Sequence, residues 1–170
     1  MKKKPAAFLD RDGVINYDFG YIYKFKNFKL RPGVIKGLQL LVKNNYRIFI
    51  ITNQSGIARG LFKVKDVDLL HKRIIQSFKK KKIIISEIKY SPFHINGIIK
   101  KYSKFSKTRK PGNLMIKQIY KKWKTDKKNS FMIGDRLSDK ICAKTSNLYF
   151  QYAKKNFYLQ IKNILKLKFI

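Results

Sequence analysis

Residues 6–13 of the chain read AAFLDRDG, an apolar run that ends on two aspartates separated by one arginine. An apolar stretch of this length is typical of a strand that is covered on both faces. A second stretch of this kind, SFMIGDRLSD, occupies residues 130–139 and also carries two aspartates. The chain has only 9 Asp and Glu against 41 Lys and Arg. Four of those acids in two such places therefore predict a site for a hard cation and a phosphate group.

Strand-like and helix-like segments alternate on either side of these two stretches. We predict strands over residues 6–10, 47–53, 83–90, 130–135 and 147–152. We predict helices over residues 31–45, 64–80, 111–123, 136–144 and 153–168, and loops over residues 16–29, 55–60 and 93–108. This alternation predicts an α/β fold, a Rossmann-like parallel sheet with helices on both faces, in a single domain that spans residues 1–170. The ligand of such a fold binds beyond the carboxyl ends of the strands, where we expect Asp10, Thr52, Tyr90 and Asp135 to converge.

The composition limits the classes of protein to consider. With 170 residues, 44% of them hydrophobic, the chain can bury a core. The net charge of +32 fits either a nucleic-acid or membrane-surface binder, or an enzyme for anionic substrates whose surface has drifted toward lysine. Because Lys, Ile, Asn, Tyr and Phe dominate the whole chain, we favour compositional drift. The single cysteine, Cys142, excludes an internal disulfide framework and is expected to be a buried apolar residue.

No segment resembles a membrane span or an export signal. No apolar run approaches the roughly 18 residues of a transmembrane helix. Residues 1–5, MKKKP, are not followed by an apolar stretch of signal-peptide length. We therefore expect a cytoplasmic protein whose size permits a monomer, without a specific nucleic-acid partner or a membrane partner.

Asp10 and Asp12 lie two residues apart just past the first strand and therefore share a face. One carboxylate could attack phosphorus while the other delivers a proton to the leaving oxygen, if their environments tune the two apart. Asp135 would add an oxygen ligand for Mg²⁺, which relieves the repulsion between a carboxylate and a phosphate. Thr52, at the end of the second strand, and Lys110, just before a helix, could steady the phosphoryl group.

These segments together resemble the haloacid dehalogenase-like phosphatases. The matching segments are FLDRDGV at residues 8–14, IITN at residues 50–53, Lys110, and GDRLSD at residues 134–139. The segments DRDGVIN at residues 10–16, DFGY at residues 18–21, TNQSGIARG at residues 52–60 and RKP at residues 109–111 resemble the branch that acts on D-glycero-D-manno-heptose 1,7-bisphosphate. The related histidinol-phosphate phosphatases share several of them. The resemblance covers about residues 6–150.

The resemblance implies a Mg²⁺-dependent phosphatase without a large cap domain. Asp10 would form an aspartyl-phosphate, and Asp12 would act as general acid and then as general base. Mg²⁺ would be held by the Asp10 and Asp135 side chains and the main-chain carbonyl of Asp12, while Thr52 and Lys110 steady the phosphoryl group. Asp139, one helical turn after Asp135, would support the metal-bound water or the loop. Substrate contacts would come from Asp18, Gly20, Tyr21, Asn53, Gln54, Ser55, Arg109 and Arg136, the last in place of the family's usual lysine.

The implied substrate is a small phosphorylated sugar. The reaction would remove the 7-phosphate of the heptose bisphosphate, a step toward a lipopolysaccharide precursor. A first alternative keeps the chemistry but acts on histidinol phosphate or another small phosphomonoester. A second alternative is a basic nucleic-acid-binding protein in which the catalytic site is vestigial, although the complete set of aspartates argues against it.

The chain departs from the family in one loop. Family members usually bind zinc there, between the third strand and the Arg-Lys-Pro segment, with a Cys-x-His pair and a Cys-x-Cys pair. The aligned positions are Ser91, Phe93, Ser106 and Thr108, and His94 is adjacent. Because no thiolate remains, we do not expect a zinc site. Either the loop is mobile or it is held by packing of Phe93, Ile95, Ile98 and Phe105.

Other notable residues have structural interpretations. His71 lies in a basic helical segment and is predicted to be a surface residue. His94 is predicted to form hydrogen bonds within its loop, and Trp123 to belong to the core. Residues 79–82, all lysine, are predicted to be a solvated helix end. The basic tail over residues 153–168 is predicted to cover the edge of the sheet, with contact to a membrane or nucleic acid as the alternative.

Overall fold

Five parallel strands form one sheet in the computed structural model, which describes residues 3–167. The strands are β1 (Lys4–Leu9), β2 (Arg47–Asn53), β3 (Ile85–Ser91), β4 (Thr125–Gly134) and β5 (Tyr149–Tyr152). Their order in the sheet is β3-β2-β1-β4-β5, and every neighbouring pair is parallel. The central position of β1 explains its continuous apolar run, because helices cover a parallel sheet on both faces. The predicted α/β architecture is confirmed.

Within the described residues, five α-helices cover the two faces of this sheet. They are α1 (Val34–Lys43), α2 (Val64–Lys79), α3 (Leu114–Lys122), α4 (Leu137–Lys144) and α5 (Phe157–Ile164), and a short 3₁₀ turn spans Phe25–Asn27. One apolar cluster joins the sheet to α1, α2 and α5, and a second joins it to α3 and α4. Alternate residues of β1 enter alternate clusters, as the period of a strand requires. Cys142 of α4 lies in the second cluster and is 1% exposed, as predicted.

Only β2 and α2 begin at the predicted residues, and the other elements begin one to five residues away. Two of these differences have a clear physical cause. β4 starts five residues earlier, at Thr125, because the first residues of β1 pair with Thr125 and Asp126 before the register shifts. Residues 126–129 are polar and therefore carry no apolar strand pattern. The helix expected to open at Pro111 begins at Leu114, because main-chain hydrogen bonds of two turns occupy the preceding segment.

The basic tail does not cover the sheet edge, so that prediction is wrong. α5 packs beside α1 on one face of the sheet, where Phe157 and Tyr158 lie against Gly33 and Gly37. Any side chain at Gly37 would meet the Phe157 ring at 2.4 Å. The last position of the predicted helix, Lys168, lies outside the described residues.

The carboxyl edge of the sheet remains open. Within residues 3–167 the connections between strands contain no large cap domain. Among the described residues, α2 is the longest helix, with 16 residues, and only one of its faces is apolar.

Within residues 3–167, no helix has the length and hydropathy that crossing a bilayer requires.

Candidate active site

A cavity of about 510 Å³ lies at the carboxyl edge of the sheet. Its lining includes every residue predicted as catalytic or substrate-contacting, namely Asp10, Asp12, Asp18, Gly20, Tyr21, Thr52, Asn53, Gln54, Ser55, Arg109, Lys110 and Arg136. Gly56, Pro111 and Ser138 also line it and were not predicted. Tyr90 does not belong to this lining, because its hydroxyl donates to Asp68 of α2 at 2.8 Å. The structure thus brings the predicted residues together, and their individual roles remain predictions.

Three carboxylates converge next to this cavity, which Asp10 lines and Asp135 and Asp139 do not. Asp10 follows β1, Asp135 follows β4 and Asp139 lies in the first turn of α4, and one oxygen from each lies within 4.8 Å of the others. Two glycines make this approach possible. A Cβ at Gly13, whose φ is +81°, would lie 2.2 Å from Asp135 Oδ2, and a Cβ at Gly134 would lie 2.2 Å from the Asp139 Cβ. A side chain at either position would therefore push the carboxylates apart.

This carboxylate cluster fits a magnesium ion. Asp135 Oδ1 is buried and has no hydrogen-bond partner among the described residues. A buried oxygen without a partner is costly unless a cation or an ordered water satisfies it. Mg²⁺ takes oxygen ligands from one or two carboxylates and fills its other positions with water and phosphate. Asp10 and Asp135 would hold the ion.

A buried lysine neutralises part of this negative charge. Lys110 Nζ lies 2.9 Å from Asp10 Oδ1 and 2.6 Å from Asp139 Oδ1, and it donates to the Ile51 carbonyl at 3.0 Å. Burial alone would lower the pKa of Lys110, but Asp10 and Asp139 outweigh it, so its pKa is raised and the ammonium stays charged. Burial raises the pKa of Asp10, and Asp139 adds to this effect while Lys110 opposes it. A bound cation would favour the ionised form of Asp10.

Hydrogen bonds between side chains fix the residues next to the strand ends. Gln54 Nε2 donates to Asp12 Oδ2 at 2.9 Å and to Thr52 Oγ1 at 3.0 Å, so the Thr52 proton can be donated to a phosphoryl oxygen. Asn53 exchanges two hydrogen bonds of 3.0 Å with the main chain of Lys110. Asn53 therefore holds the lysine in the cavity, a role that the sequence did not reveal.

Arginine side chains bring positive charge to the rim of the cavity. Arg136 pairs with Asp18 at 2.9 Å, and Arg109 donates to the Phe93 carbonyl at 3.2 Å. Burial lowers the pKa of Arg109, and the charges of Arg59 and Arg136 add to this effect. Guanidinium groups that repel each other around a cavity favour an anionic ligand, because a phosphate would relieve the repulsion.

Arg11 is fully buried, although it stands between the two aspartates of the first motif. Its side chain binds both carboxylate oxygens of Asp12, at 2.8 to 3.1 Å, and its main-chain N–H donates to Asp10 Oδ1 at 2.7 Å. Sequence reasoning gave Arg11 no role. The sequence carries no local signal for this burial, because Arg11 follows the end of β1 and its partners Ile22 and His71 lie elsewhere in the chain.

His71 is not a surface residue, so that prediction is wrong. It is 6% exposed, and its Nε2 lies 3.0 Å from Arg11 Nη1. The apolar stripe of α2 explains the error, because His71 continues the helical spacing of the buried Val67, Leu70 and Ile74. Burial, reinforced by the Arg11 charge and opposed by Asp12, lowers the pKa of His71 to about 3. The imidazole is therefore neutral, and Nε2 accepts a hydrogen bond from Arg11.

His71 predicts a specific acid sensitivity of the fold. Its pKa is lowered on folding, so below the unfolded value of about 6.5 only the unfolded chain takes up the proton, and stability falls by about 1.4 kcal/mol per pH unit. From pH 6.5, where the unfolded histidine is already half protonated, to pH 5 this loss is about 1.6 kcal/mol, and His71→Gln should remove it. Urea unfolding at both pH values without added metal measures the effect.

The other histidine supplies the control for this measurement. His94 is nearer the surface, and its Nε2 lies 3.2 Å from Arg59 Nη2. His94→Gln should leave most of the acid sensitivity in place. Asp10 has the opposite effect on stability as the pH falls, because its raised pKa makes the folded state bind the proton first. This contribution is the same in the wild type and in both histidine variants, so it cancels in the comparison. Equal pH dependence in wild type and His71→Gln would contradict the prediction.

Hydrogen bonds between hydroxyl groups join the two ends of the loop at residues 93–108, where the family usually binds zinc. Thr108 Oγ1 lies 3.0 Å from Ser91 Oγ and 2.8 Å from Ser106 Oγ, so three of the four aligned positions form one hydrogen-bonded cluster. The predicted packing is wrong for most of the loop, since Ile95, Ile98 and Phe105 are 68 to 77% exposed. Only Phe93 packs, against Tyr102. His94 accepts a hydrogen bond from the main-chain N–H of Asn96, as predicted for a loop hydrogen-bonder.

This hydroxyl cluster predicts that the protein works without zinc. Serine and threonine hydroxyls are poor zinc ligands, since tetrahedral sites are built from thiolates and imidazoles. We expect elemental analysis of the purified protein to find zinc far below one ion per chain. A zinc-selective chelator should leave phosphate release in excess Mg²⁺ unchanged. Stoichiometric zinc, or inactivation by that chelator, would contradict this expectation.

The prediction that Trp123 belongs to the core is confirmed in part, and the prediction that residues 79–82 are solvated is confirmed in full. Trp123 packs edge-on against Phe49 at the rim of the second apolar cluster and is half-buried, and its indole N–H donates to Glu87 at 2.9 Å. Residues 79–82 are exposed at the end of α2, as predicted.

Comparison with known proteins agrees with the fold and the site. A family model described as polynucleotide kinase 3 phosphatase matches residues 16–166. The D-glycero-beta-D-manno-heptose-1,7-bisphosphate 7-phosphatase of Rhodopseudomonas palustris is 37% identical over 164 residues, which cover 96% of this chain and 91% of that protein. The D-glycero-alpha-D-manno-heptose-1,7-bisphosphate 7-phosphatase of Photorhabdus laumondii is 41% identical over 137 residues, which cover 81% and 75%.

A solved structure has the same fold. The D,D-heptose 1,7-bisphosphate phosphatase of B. bronchiseptica, complexed with magnesium and phosphate, superposes with a TM-score of 0.78. The match covers 96% of this chain and 88% of that chain at 22% sequence identity. This chain therefore belongs to the polynucleotide kinase 3 phosphatase family, with the fold of the haloacid dehalogenase-like phosphatases, and is related over most of its length to the heptose-1,7-bisphosphate 7-phosphatases.

Proposed function

We propose that the chain is a Mg²⁺-dependent phosphomonoesterase that removes the 7-phosphate of D-glycero-D-manno-heptose 1,7-bisphosphate. The observation that carries this proposal is the convergence of Asp10, Asp135, Asp139 and Lys110 beside one cavity, which Asp10 and Lys110 line. A carboxylate nucleophile, a cation site and a buried ammonium are what phosphoryl transfer to an aspartate requires. Two relatives that carry the name of this reaction and cover most of the chain support the same substrate.

In the first half of the reaction, an Asp10 oxygen bonds to phosphorus while the bond from phosphorus to the sugar oxygen breaks. Asp12, in its protonated form, gives its proton to that leaving oxygen. Thr52 and Lys110 donate hydrogen bonds to the phosphoryl oxygens as the group moves. When bound, Mg²⁺ supplies charge neutralisation that lets the carboxylate approach the phosphate.

In the second half, a water molecule replaces the sugar. Asp12 is now a carboxylate and accepts a proton from the water, whose oxygen bonds to phosphorus. The bond between Asp10 and phosphorus breaks, and inorganic phosphate leaves. Each proton that Asp12 loses in the first half is recovered in the second, so the enzyme is unchanged after a full cycle.

The rim of the cavity supplies the recognition of the sugar bisphosphate. Arg109 and Arg136 carry the charge to bind the second phosphate, and Asp18 can accept from sugar hydroxyl groups. Gly20 N–H donates to Asp18 Oδ1 at 2.9 Å, which fixes the turn that presents this carboxylate. Relatives named for the alpha and the beta anomer match the chain about equally well, so both anomers belong in the test.

A panel of phosphomonoesters tests the proposal. Phosphate release is measured from both anomers of the heptose bisphosphate, from histidinol phosphate and from an oligonucleotide with a 3′-phosphate, with Mg²⁺ and with EDTA. We expect kcat/KM for the heptose bisphosphate to exceed the others by about tenfold or more and EDTA to stop the reaction. Faster release from histidinol phosphate or the oligonucleotide, or release without a metal, would overturn the proposal. Salt-sensitive DNA binding without phosphate release would indicate the vestigial alternative.

We also propose that the chain acts as a monomer, with one phosphatase domain, in the cytoplasm and without a nucleic-acid or membrane partner. The described residues of one chain bring together the carboxylates, the buried lysine and the rim arginines that the proposed reaction uses, which supports a complete site in each monomer. Sedimentation of the active protein tests this directly. A dimer whose dissociation abolished activity would contradict it.

A further inference from the structure

The Arg11 guanidinium needs a hydrogen-bond acceptor for its Nη1 from outside the segment that contains Asp10 and Asp12. Nε and Nη2 bind the Asp12 carboxylate, and Nη2 also donates to the Ile22 carbonyl at 2.7 Å. Nη1 faces His71 of α2, at 3.0 Å from Nε2. Because Arg11 is 0% exposed, water cannot replace a missing partner, and an unpaired buried N–H is costly.

His71 is itself held in the orientation that this contact needs. Its ring lies edge-on against Tyr90, with the ring centroids 5.4 Å apart. The Tyr90 hydroxyl donates to Asp68, one helical turn before His71 on α2. α2 therefore fixes both the imidazole and the aromatic ring beside it. A continuous chain of contacts runs from Tyr90 through His71 and Arg11 to Asp12.

We propose that His71 is a positioning residue for the phosphatase reaction, and that it acts through Arg11 to hold the Asp12 carboxylate in place for proton transfer. This inference rests on the proposed function, in which Asp12 is the general acid. His71 does not line the cavity and lies outside the matched motifs. Its neutral Nε2 accepts a hydrogen bond from Arg11 Nη1. A residue of α2 thereby fixes the orientation of the guanidinium plane.

The orientation of Asp12 matters because general acid catalysis depends on geometry. Asn16 Nδ2 and Gln54 Nε2 also donate to the Asp12 carboxylate, at 2.9 Å each. These neutral donors leave Arg11 as the charged partner of Asp12. If the guanidinium loses its acceptor at position 71, it can turn about its long axis, and the carboxylate that it binds at two points turns with it. A small displacement of a catalytic group can lower a rate by about 100-fold.

A matched pair of variants separates this role from simple packing. His71→Gln keeps an acceptor near the place of Nε2, whereas His71→Met has a similar shape and a sulfur that accepts only weakly. Each is assayed on the heptose bisphosphate, whose alkoxide leaving group needs a proton, and on p-nitrophenyl phosphate, whose phenolate leaves without one. Because kcat/KM reports the first bond-breaking step, it isolates the proton that Asp12 delivers.

We expect His71→Met to lose about tenfold or more in kcat/KM on the heptose bisphosphate relative to His71→Gln, and less than about twofold on p-nitrophenyl phosphate. Equal losses on the two substrates, or equal activity of the two variants, would overturn the inference. If His71→Met does not fold, His71→Asn replaces it, since its amide is too short to reach Arg11, and the same outcomes decide.

The Asp12→Asn variant distinguishes this inference from the proposed function. It should show the same contrast between the two substrates, to a greater extent. A wild-type protein without activity on the heptose bisphosphate would refute the proposed substrate. An Asp12→Asn variant without the contrast would refute the acid role of Asp12, and the inference with it. If Asp12→Asn loses more activity on the heptose bisphosphate than on p-nitrophenyl phosphate and His71→Met does not, only the role of His71 is refuted.

Discussion

Replacing Asp10 with asparagine should abolish phosphate release, with kcat falling by about 10⁴-fold or more. The amide oxygen has nearly the same shape but is a very weak nucleophile, so no bond to phosphorus forms. The substitution also removes one of the two carboxylates proposed to hold Mg²⁺. Phosphate release under saturating substrate and Mg²⁺ measures the loss. Acid quenching of wild type with labelled substrate should trap phosphate on the chain, whereas the variant should trap none.

Asp126→Asn is the matched control for this prediction. Asp126 lies near the amino end of β4, whereas the cavity lies at the carboxyl ends of the strands. Among the described residues, its carboxylate accepts hydrogen bonds from the main chain and the side chain of Asn129. The same chemical change there should leave kcat near the wild-type value. Asp10→Asn should still fold, because asparagine keeps an oxygen for the Arg11 N–H. Full activity in Asp10→Asn would show that another group attacks phosphorus.

The sheet and its site were predictable because both depend on local patterns. Apolar runs bounded by aspartates gave β1 and β4 their type and their ends, and the parallel order then placed Asp10 and Asp135 at one edge. The spacing of residues 52–54 past the end of β2 likewise brought polar side chains into the same crevice. A strand pattern works well here because a strand that is covered on both faces is a nearly continuous apolar run.

The contacts between distant segments were not predictable in the same way. The ion pair of Lys110 with Asp139, the Arg136 pair with Asp18 and the burial of Arg11 against His71 join segments 29 to 118 residues apart in the chain. Charge alone does not select such partners in a chain with 41 cations. The burial of His71 is a local exception, because its place on the apolar stripe of α2 indicates burial while its residue type favours the surface. The extent of β4 was missed because main-chain pairing, rather than apolar side chains, extends it.

Replacing Lys110 with methionine should both destabilise the protein and inactivate it. The Lys110 side chain is 2% exposed and lies between the Asp10 and Asp139 carboxylates. Without it, two buried carboxylates lose their cation, and breaking a buried ion pair in this way costs about 3 to 5 kcal/mol. Urea unfolding in metal-free buffer at pH 7.5 measures the loss. Lys122→Met is the control, because Lys122 pairs with Glu87 but its side chain is 63% exposed, and such pairs contribute about 0 to 1 kcal/mol.

A second substitution separates stability from chemistry. Asp139→Asn in the Lys110→Met background removes one of the unpaired charges while keeping an oxygen for the Arg136 N–H, at present 3.0 Å from Asp139 Oδ2. We expect the double variant to recover part of the lost stability but none of the activity, because no ammonium is left to meet the phosphoryl oxygens. Wild-type stability in Lys110→Met would mean that the Asp10 and Asp139 side chains do not need the ammonium to stay together in the metal-free fold. In that case Lys110 would serve the reaction but contribute nothing to holding the carboxylates together.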